Sequence, residues 1–375
     1  MSDVAVIFGG PSPEHDVSVL TGLQAAHELA RTGEAPRAIY WTKAGDWYEV
    51  DPALEATAFV DGLPRGATPL RLTVGADGGF VADGGRFGRA RTQPVEVAVV
   101  CCHGAPGEDG TLQSVLDLAG IRYTGPSLAG AAIGMDKLAF GAVMAGAGLP
   151  TLPRVALEPG TTALDFSGPY IVKPRFGGSS IGIDVVADLP TALARLGTNQ
   201  HLRAGAVVEP YRADWFDLQI AVRSWPDLQL SAVERPLRTP RAGGAAGEPE
   251  ILGYADKYIG GEGMASAPRE LPAQIDPDLD RRLRDAAARV ARLSSLRGAA
   301  RIDFLSDGTD LVVNEINTIP GSLARYLWID PVVPFGTYLA DLIAEARQRP
   351  THVYSAAGAD GMVLRGASSI AAKLA

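Results

Sequence analysis

The sequence predicts an α/β protein of two or three packed domains, the first of which contains a parallel sheet. Its 375 residues exceed the size of one ordinary domain. Apolar strands alternate with amphipathic helices near the N-terminus, and a long helix followed by two strands lies near the other end. The chain is 46% hydrophobic and 21% charged, so each domain can bury a core.

The N-terminal segment alternates strands and helices. Residues 4–8 (VAVIF) and the continuously apolar run 95–102 (VEVAVVCC) predict buried strands, and RAIYWT at 37–42 predicts another. Helices are predicted at 19–33 (VLTGLQAAHELARTG) and 111–120 (TLQSVLDLAG). This alternation predicts a parallel sheet with ligand-binding loops at its strand ends.

The pattern changes after residue 136. DKLAFGAVMAGAG at 136–148 predicts a helix, and PYIVKPRFGGSSIGIDVV at 169–186 predicts a Gly-rich hairpin. Strands are predicted at 207–210 and 217–225. Residues 236–270 are rich in Gly, Ala and Pro, which predicts a long mobile loop able to close as a lid.

The C-terminal segment starts with a predicted amphipathic helix at 276–296. ARIDFL at 300–305 and LVVNEIN at 311–317 predict a strand pair joined by SDGTD. TYLADLIAEARQR at 337–349 predicts a last helix, and the Ala-, Gly- and Ser-rich residues 351–375 predict a flexible tail.

Charge and cysteine content exclude several classes of protein. A net charge of −9 argues against nucleic acid as the main partner. The two cysteines, Cys101 and Cys102, are adjacent, which favours a reducing compartment over a disulfide framework. No signal peptide precedes Val4, and no apolar run reaches the roughly 18–20 residues of a membrane span. We therefore expect a cytoplasmic protein without membrane contact.

Oxygen ligands gather at the end of the predicted strand pair. Glu315 and Asn317 share one face because they lie two positions apart on a strand, and Asp303 is on the neighbouring strand. Mg²⁺ prefers such ligands, and two close carboxylates favour a cation between them. The alternative is a polar strand end facing water.

Two other segments are candidate ligand loops. The glycines of 173–182 (KPRFGGSSIG) allow backbone amides to approach a phosphate, and Lys173 precedes them; the alternative is a plain flexible hairpin. Lys173 is one of only five lysines in the chain. His103 opens the strand-to-helix loop 103–114 (HGAPGEDGTLQS), where a lone histidine is either structural or a ligand contact.

Seven segments, in this order, together resemble the D-alanine–D-alanine ligases of the ATP-grasp superfamily. They are VAVIFGGPSPEHDVSVLTG, HGAPGEDGTLQSVLDLAGIRYTGPS, MDKLAF, IVKPRFGGSSIG, YADKY, ARIDF and NEINTIPG, spanning residues 4 to about 321. The resemblance implies a three-domain ATP-grasp fold, with an N-terminal parallel α/β domain and an ATP site between two sheets. It implies ATP and Mg²⁺ (two ions, with Mn²⁺ as an alternative), amino-acid substrates and a homodimer. The implied divisions are an N-terminal substrate domain (1–130), a central ATP-grasp subdomain (131–212), a C-terminal ATP-grasp and metal domain (213–350) and the tail (351–375).

The resemblance also implies a reaction and residue roles. The first amino acid's carboxylate takes the γ-phosphate of ATP to give an acyl phosphate, and the second amino acid's amine then displaces phosphate. The implied ATP contacts are Lys137, Lys173, Glu209 (adenine hinge), Asp217 (in place of a ribose-binding glutamate) and Lys257. The implied metal ligands are Asp303, Glu315 and Asn317. The implied catalytic groups are Glu14, Ser179 and Tyr258 around the first substrate, and Arg301 with the Gly321 amide at the oxyanion; His103 is implied to contact the first substrate.

The sequence departs from the family after Gly321. The family commonly reads PGFTSxSxYP, whose second serine binds the second substrate's carboxylate, whereas this chain reads PGSLARYLW. Counting from Glu315, Tyr326 falls on that serine and Ala324 on the earlier one. Arg325 offers a bidentate donor for a carboxylate if it points inward. Tyr326 and Arg325 are therefore the predicted acceptor contacts.

Three functions remain to be compared. The first is an ATP-dependent D-alanine–D-alanine ligase, and the second is a related ligase with another acceptor, from natural-product or resistance chemistry. The third is a nucleotide-binding protein without catalysis. The intact set of Lys173, Arg301, Asp303, Glu315 and Asn317 argues against the third.

Overall fold

The computed structural model describes residues 3–82, 91–237, 268–351, 355–366 and 369–374. Lys257, Tyr258 and most of the predicted loop 236–270 lie outside the described residues, so the lid stays a prediction. The described residues form three β-sheets.

The first sheet is mixed, in the order β6-β5-β4-β3-β2-β1-β7-β8. Its strands are β1 (Val4–Gly9), β2 (Arg37–Trp41), β3 (Trp47–Val50), β4 (Thr68–Thr73), β5 (Gly79–Ala82), β6 (Arg91–Thr92), β7 (Val97–Val100) and β8 (Arg122–Tyr123). Strands β2, β1, β7 and β8 are parallel, which confirms the predicted parallel sheet. Strands β3 to β6 extend it as an antiparallel meander. The sequence did not reveal this extension because these strands are short and only partly buried.

The second sheet is small and antiparallel, in the order β11-β10-β12-β9. Its strands are β9 (Val155–Ala156), β10 (Tyr170–Pro174), β11 (Asp184–Val186) and β12 (Ala206–Pro210). Strands β10 and β11 are the two arms of the predicted Gly-rich hairpin, which is confirmed.

The third sheet is antiparallel, in the order β15-β14-β13-β16-β17. Its strands are β13 (Phe216–Arg223), β14 (Gln229–Pro236), β15 (Arg269–Glu270), β16 (Ala299–Ser306) and β17 (Leu311–Asn317). Strands β16 and β17 confirm the predicted strand pair, and their register shifts between Asp303 and Phe304.

The α-helices pack on these sheets. They are α1 (His15–Arg31), α2 (Thr111–Leu118), α3 (Leu128–Met135), α4 (Lys137–Gly146), α5 (Leu189–Thr198), α6 (Pro277–Leu293), α7 (Phe335–Gln348), α8 (Met362–Arg365) and α9 (Ile370–Leu374). Short 3₁₀ segments are Ala56–Phe59, Gln200–Leu202 and Gly321–Leu327. Within the described ranges, no helix is long and apolar enough to cross a membrane.

Each sheet has its own hydrophobic core. Helix α1 approaches β1 so closely that a Cβ on Gly22 would lie 2.3 Å from the Cβ of Phe8. Helix α7, near the C-terminus, also packs into the core of the first sheet, through residues such as Tyr338 and Leu342. The third sheet packs on α4 and α6, and the second on α5. The core of the first sheet therefore combines residues from the N-terminal and C-terminal parts of the chain.

Candidate active site

A row of four polar side chains crosses the third sheet. Antiparallel pairing sets Glu234 opposite Gln219, Gln219 opposite Asp303, and Asp303 opposite Glu315. Cross-strand partners project from the same face of a sheet. The row therefore carries three carboxylates and one amide across β14, β13, β16 and β17.

The predicted metal ligands lie together at the β17 end of this row. Asp303 accepts hydrogen bonds from Arg301, from Nε to Oδ1 at 2.7 Å and from Nη2 to Oδ2 at 2.8 Å. Asn317 donates from Nδ2 to Asp303 Oδ2 at 3.2 Å. Glu315 Oε2 lies 3.5 Å from the Nζ of Lys137. Each carboxylate thus has a cationic side chain beside it.

The chemistry of this donor set fits a hard divalent cation. Two carboxylates and one carboxamide on adjacent strands supply the oxygen ligands that Mg²⁺ prefers, leaving positions for water and phosphate oxygens. The described residues contain no group of three or more His, Cys, Asp and Glu side chains that could hold a metal alone. Asn317 and phosphate oxygens would therefore have to complete the shell.

A buried ion cluster joins the second and third sheets. Glu209, fully buried on β12, accepts from Lys173 Nζ at 2.9 Å and from Arg154 Nε at 2.5 Å. Burial opposes ionisation of Glu209, but Lys173 and Arg154 hold the pKa of this carboxyl below its usual range. Lys173 also donates to Asn314 Oδ1 at 3.3 Å, and Arg154 donates to the Asn314 carbonyl at 3.0 Å. The cluster fixes the two sheets against each other at the predicted ATP site.

Lys137 is fixed at the first turn of α4. Asp136 caps this helix by accepting from the Leu138 and Ala139 amides at 3.0 and 3.2 Å. The Lys137 ammonium donates to the carbonyl of Gly177 in the Gly-rich hairpin. Lys137 therefore links that hairpin to Glu315.

Glu14 and Ser179 lie together across the gap between the first and second sheets. Glu14 is the N-cap residue of α1, where the helix dipole favours a negative charge, and Ser179 donates to its Oε1. A cleft lies beside this pair and is lined by residues that include Lys137, Glu315 and Asn317. The predicted first-substrate, ATP and metal residues thus border one space.

A second opening lies on the other side of Glu14. Phe176 and Ile181 of the hairpin and His201 contribute to its lining, opposite Ser12 and Gly104. Its mixed polar and apolar walls suit a small amino acid.

Three buried side chains clamp the turn before Gly321 to the first sheet. Glu108 Oε1 accepts from the Ile319 amide at 2.7 Å, and His103 Nδ1 donates to the Ile319 carbonyl at 2.6 Å. His103 Nε2 accepts from the Thr21 hydroxyl at 2.8 Å, and the Ser322 amide donates to Thr21 Oγ1 at 3.0 Å. Both ring nitrogens of His103 are therefore bonded to protein, so the structure gives it a positioning role.

Burial moves the pKa values in this clamp in opposite directions. Burial lowers the pKa of His103 to about 4, against the contribution of the Ile319 carbonyl. Burial and then the charge of Glu14 raise the pKa of Glu108 to about 7. The neutral imidazole agrees with the hydrogen bonds, since one nitrogen donates and the other accepts.

The segment after Gly321 makes a left-handed turn. Ser322, Leu323 and Ala324 have φ values of 50°, 50° and 53°, which cost L-residues roughly 1–2 kcal/mol each. Tyr338 holds the turn by donating its hydroxyl to the Leu323 carbonyl at 2.9 Å. Sequence patterning does not reveal such a turn, because glycine, its usual signal, is absent from these three positions.

The two predicted acceptor residues point to different places. Tyr326 packs against Arg269, whose guanidinium lies 4.9 Å from the ring centroid, and its hydroxyl is buried. Arg325 lies over Phe335 at 5.4 Å and lowers the pKa of Glu28 on α1, after the larger effect of Arg31. The structure therefore brings Tyr326 to the row of polar side chains but does not bring Arg325 there.

Comparisons with known proteins show which family the chain matches. Two family models match, the D-ala D-ala ligase N-terminus over residues 3–126 and the D-ala D-ala ligase C-terminus over residues 148–345. The chain belongs to the D-alanine–D-alanine ligase family. The ligase is 33% identical to a D-alanine–D-alanine ligase of Nocardia farcinica, covering 93% of this chain and 98% of that protein. It is 31% identical to one of Mycobacterium tuberculosis, covering 92% and 95%.

Similar solved structures confirm the fold of the ligase. The D-alanine–D-alanine ligase of Coxiella burnetii superposes with a TM-score of 0.71 at 21% identity, covering 92% of this chain and 94% of that one. The VanG D-Ala:D-Ser ligase of Enterococcus faecalis has a TM-score of 0.71 at 24% identity, covering 92% and 98%. The predicted ATP-grasp fold is confirmed, and the ligase is an ATP-dependent enzyme that forms a peptide bond. Enzymes of this family use ATP, a divalent metal and amino-acid substrates.

Sequence reasoning missed several residues of the site. Three of them, Arg154, Gln219 and Glu234, sit in stretches without a motif, and only the register of the sheets brings the last two to the site. Thr21 lies inside the segment VAVIFGGPSPEHDVSVLTG, where no signal marked it as a site residue. Glu108 lies inside the quoted loop HGAPGEDGTLQS, where its acidic side chain was a signal that could have been used. Asp217 lies at the start of β13, across the 211–215 connection from Glu209.

Proposed function

We propose that this ligase activates D-alanine with ATP and joins the acyl group to a second amino acid, with D-alanine as the reference acceptor. The observation that carries the proposal is the cleft bordered by Glu14, Lys137, Glu315 and Asn317, beside the Lys173–Glu209 cluster. The proposal places an ammonium, a triphosphate and a metal ion along the residues that line this cleft. The family implies that the dipeptide serves peptidoglycan synthesis and thus cell-wall biogenesis and cell shape.

The first step uses residues at the N-terminal side of the cleft. Glu14 binds the ammonium of the first amino acid, and Ser179 and Tyr258 hold Glu14 in place. Lys137, Lys173 and Lys257 bind the phosphates, while Glu209 and Asp217 bind adenine and ribose. Holding carboxylate and γ-phosphate in line supplies most of the rate gain in such a transfer.

The metal ligands in this proposal are Asp303, Glu315 and Asn317. Bound Mg²⁺, as two ions, or Mn²⁺ would neutralise charge on the transferring phosphoryl group. Arg301 and the Gly321 amide donate to the oxygen that becomes negative when the acceptor amine attacks the acyl carbon. His103 positions Gly321 through Ile319 and borders the first subsite.

Domain boundaries and assembly complete the proposal. We assign residues 1–130, 131–212 and 213–350 to the substrate, central and metal domains, with 351–375 as a tail, and we propose a homodimer in the cytoplasm.

The test is phosphate release with ATP, magnesium and a panel of amino acids, with the product mass measured. The proposal predicts D-alanine-dependent phosphate release and a dipeptide that contains D-alanine. Release that does not depend on any amino acid would contradict it. A dipeptide with another second residue would favour the alternative of a different acceptor, which the changed sequence at Tyr326 supports.

A further inference from the structure

Three buried side-chain oxygen atoms, one on Tyr326 and two close to it, have no hydrogen-bond partner among the described residues. They are Oε1 of Gln219, Oε2 of Glu234 and the hydroxyl of Tyr326. Gln219 is 2% exposed and Glu234 is 3% exposed. A buried acceptor left unpaired costs about 1–3 kcal/mol, so a ligand that donates hydrogen bonds would be stabilised here.

The three groups face one another. Gln219 and Glu234 are cross-strand partners on β13 and β14, so their side chains leave the same face of the sheet. Arg269 lies 3.1 Å from Glu234 Oε1 and stacks on the Tyr326 ring. Burial and then the charge of Glu234 raise the pKa of Tyr326, which agrees with the hydroxyl lying close to that carboxylate.

The chemistry of these atoms selects a hydrogen-bond donor. An ionised carboxylate oxygen and an amide oxygen only accept, and a phenol hydroxyl can do either. Burial raises the pKa of Glu234 to about 7, against the charge of Arg269 and the nearby Tyr326 hydroxyl, so Glu234 is purely an acceptor above that pH. The Gln219 amide nitrogen is turned towards Asp303 Oδ2, 3.5 Å away, so its oxygen is the atom left for a ligand. A carboxylate placed against Glu234 would be repelled, whereas an ammonium or hydroxyl would complete the set.

This group lies at the acceptor end of the site. Asp303, next to Gln219 in the row, is bound by Arg301, the proposed oxyanion donor. Tyr326 stands where the sequence departs from the family pattern. A ligand beside these three groups is therefore close to the acyl carbon on which the second amino acid acts.

We propose that Gln219, Glu234 and Tyr326 form a donor-binding pocket that takes an ammonium or hydroxyl group of the acceptor amino acid. This inference rests on the proposed function, because that function sets the acceptor beside Arg301. Two parts of the acceptor supply this chemistry. One is the α-amino group, common to all amino acids, which binds as an ammonium, gives up one proton before it attacks and still donates through its N–H groups as an amine. The other is a hydroxyl or ammonium on the side chain.

The experiment compares matched acceptors in the whole enzyme. kcat/KM is measured with D-alanine against D-serine, and with D-norleucine against D-lysine, for wild type and the Glu234→Gln, Tyr326→Phe and Glu158→Gln variants. Glu158 is exposed and follows β9 of the second sheet, whereas the row lies on the third, so Glu158→Gln is the matched loss of a carboxylate. Thermal unfolding checks that each variant folds. If Glu234→Gln does not fold, Tyr326→Phe tests the pocket independently.

If the pocket binds the acceptor's side chain, wild type should prefer D-serine over D-alanine, or D-lysine over D-norleucine, by about tenfold in kcat/KM. Glu234→Gln should then remove this preference. An α-ammonium ligand predicts that Glu234→Gln lowers kcat/KM by a similar factor for every acceptor, about tenfold, with a raised KM for the acceptor. Either result supports the pocket. Values within twofold of Glu158→Gln for all four acceptors, in both pocket variants, would overturn it.

A second readout separates this inference from the proposed function. Hydroxylamine traps the acyl phosphate formed from ATP and the first amino acid, and needs no acceptor. Wild type that forms no hydroxamate would defeat the proposed function. Hydroxamate formation combined with acceptor rates that ignore Glu234 and Tyr326 would defeat the pocket alone.

Discussion

The proposed ATP end of the site lies between the second and third sheets, and the proposed acceptor end lies on the third sheet. The polar groups of the two ends are paired differently. At the ATP end, Glu209 is bound by Lys173 and Arg154, and Asp303 is bound by Arg301. At the acceptor end, Glu234 and Gln219 keep buried oxygen atoms that have no hydrogen-bond partner among the described residues.

The two kinds of pairing suit two different functions, a fixed binding geometry and discrimination among ligands. Paired charges hold a fixed geometry before the substrate arrives, which suits an ATP site whose ligand never varies. Unpaired buried acceptors instead discriminate among ligands, because only a ligand with the right donor removes their cost. The sequence departs from the family pattern at Tyr326, on the proposed acceptor side, and follows it at Asp303, Glu315 and Asn317, the proposed metal ligands.

The largest effect is expected for Glu315→Gln, which removes one charge from the ATP end. Turnover should fall by about 10³-fold, since loss of a metal-ligating carboxylate removes charge neutralisation worth several kcal/mol. Steady-state ADP formation at saturating magnesium measures this, with Glu158→Gln as the control. Near-normal turnover would remove Glu315 from the metal site.

Glu209→Ala should destabilise the protein by about 3–5 kcal/mol, because it leaves two buried cations without their shared carboxylate. Urea unfolding measures the change, and Glu158→Ala is the exposed control. A loss below about 1 kcal/mol, typical of exposed pairs, would show that the cluster does not hold the two sheets together.

His103 should make stability depend on pH. Its folded pKa of about 4 lies below the ordinary value of 6.5, so the unfolded chain binds more protons between these values. Stability is therefore lost as the pH falls through this window, by about 2 kcal/mol at pH 5 relative to pH 7. Glu108 acts in the opposite sense, since its pKa is raised to about 7.

The variant His103→Gln isolates the contribution of the imidazole. Glutamine can donate to the Ile319 carbonyl and does not titrate, so the difference in unfolding free energy between wild type and variant should shrink from pH 7 to pH 5. Urea titrations at both pH values measure it. A difference independent of pH would contradict the buried neutral histidine.

Thr21→Val should have the smallest effect, a loss of about tenfold in kcat, because it removes one hydroxyl that positions Ser322 next to Gly321. The KM for ATP should stay unchanged, since Thr21 lies on α1, whereas the Lys173–Glu209 cluster joins the second and third sheets. Thr21→Ser keeps the hydroxyl and should restore kcat. Equal losses in both variants would indicate a packing effect instead.

Much of the fold follows from the sequence. The parallel strands, the Gly-rich hairpin and the last strand pair carry strong periodic or turn signals, and each is confirmed. The meander of β3 to β6 could not be predicted from the sequence, because short half-exposed strands lack a clear alternation of apolar and polar residues.

The site residues also fall into some that the sequence predicts and some that it does not. Glu315 and Asn317 are two residues apart on one strand, so the sequence alone sets them on one face. Glu234 and Gln219 become neighbours of Asp303 only through the pairing of β14, β13 and β16, which no local pattern specifies. The direction of Arg325 depends on the left-handed turn at 322–324, which lacks the glycine that would announce it.

Trapping of the acyl phosphate by hydroxylamine tests the separation of the two ends most directly. The assay contains ATP, magnesium, D-alanine and hydroxylamine, and compares wild type with Glu315→Gln and Glu234→Gln. The account predicts that hydroxamate formation is lost in Glu315→Gln and unchanged in Glu234→Gln, although the latter is impaired in dipeptide formation. Parallel loss of hydroxamate in both variants would contradict it, because activation and acceptor selection would then share one set of residues.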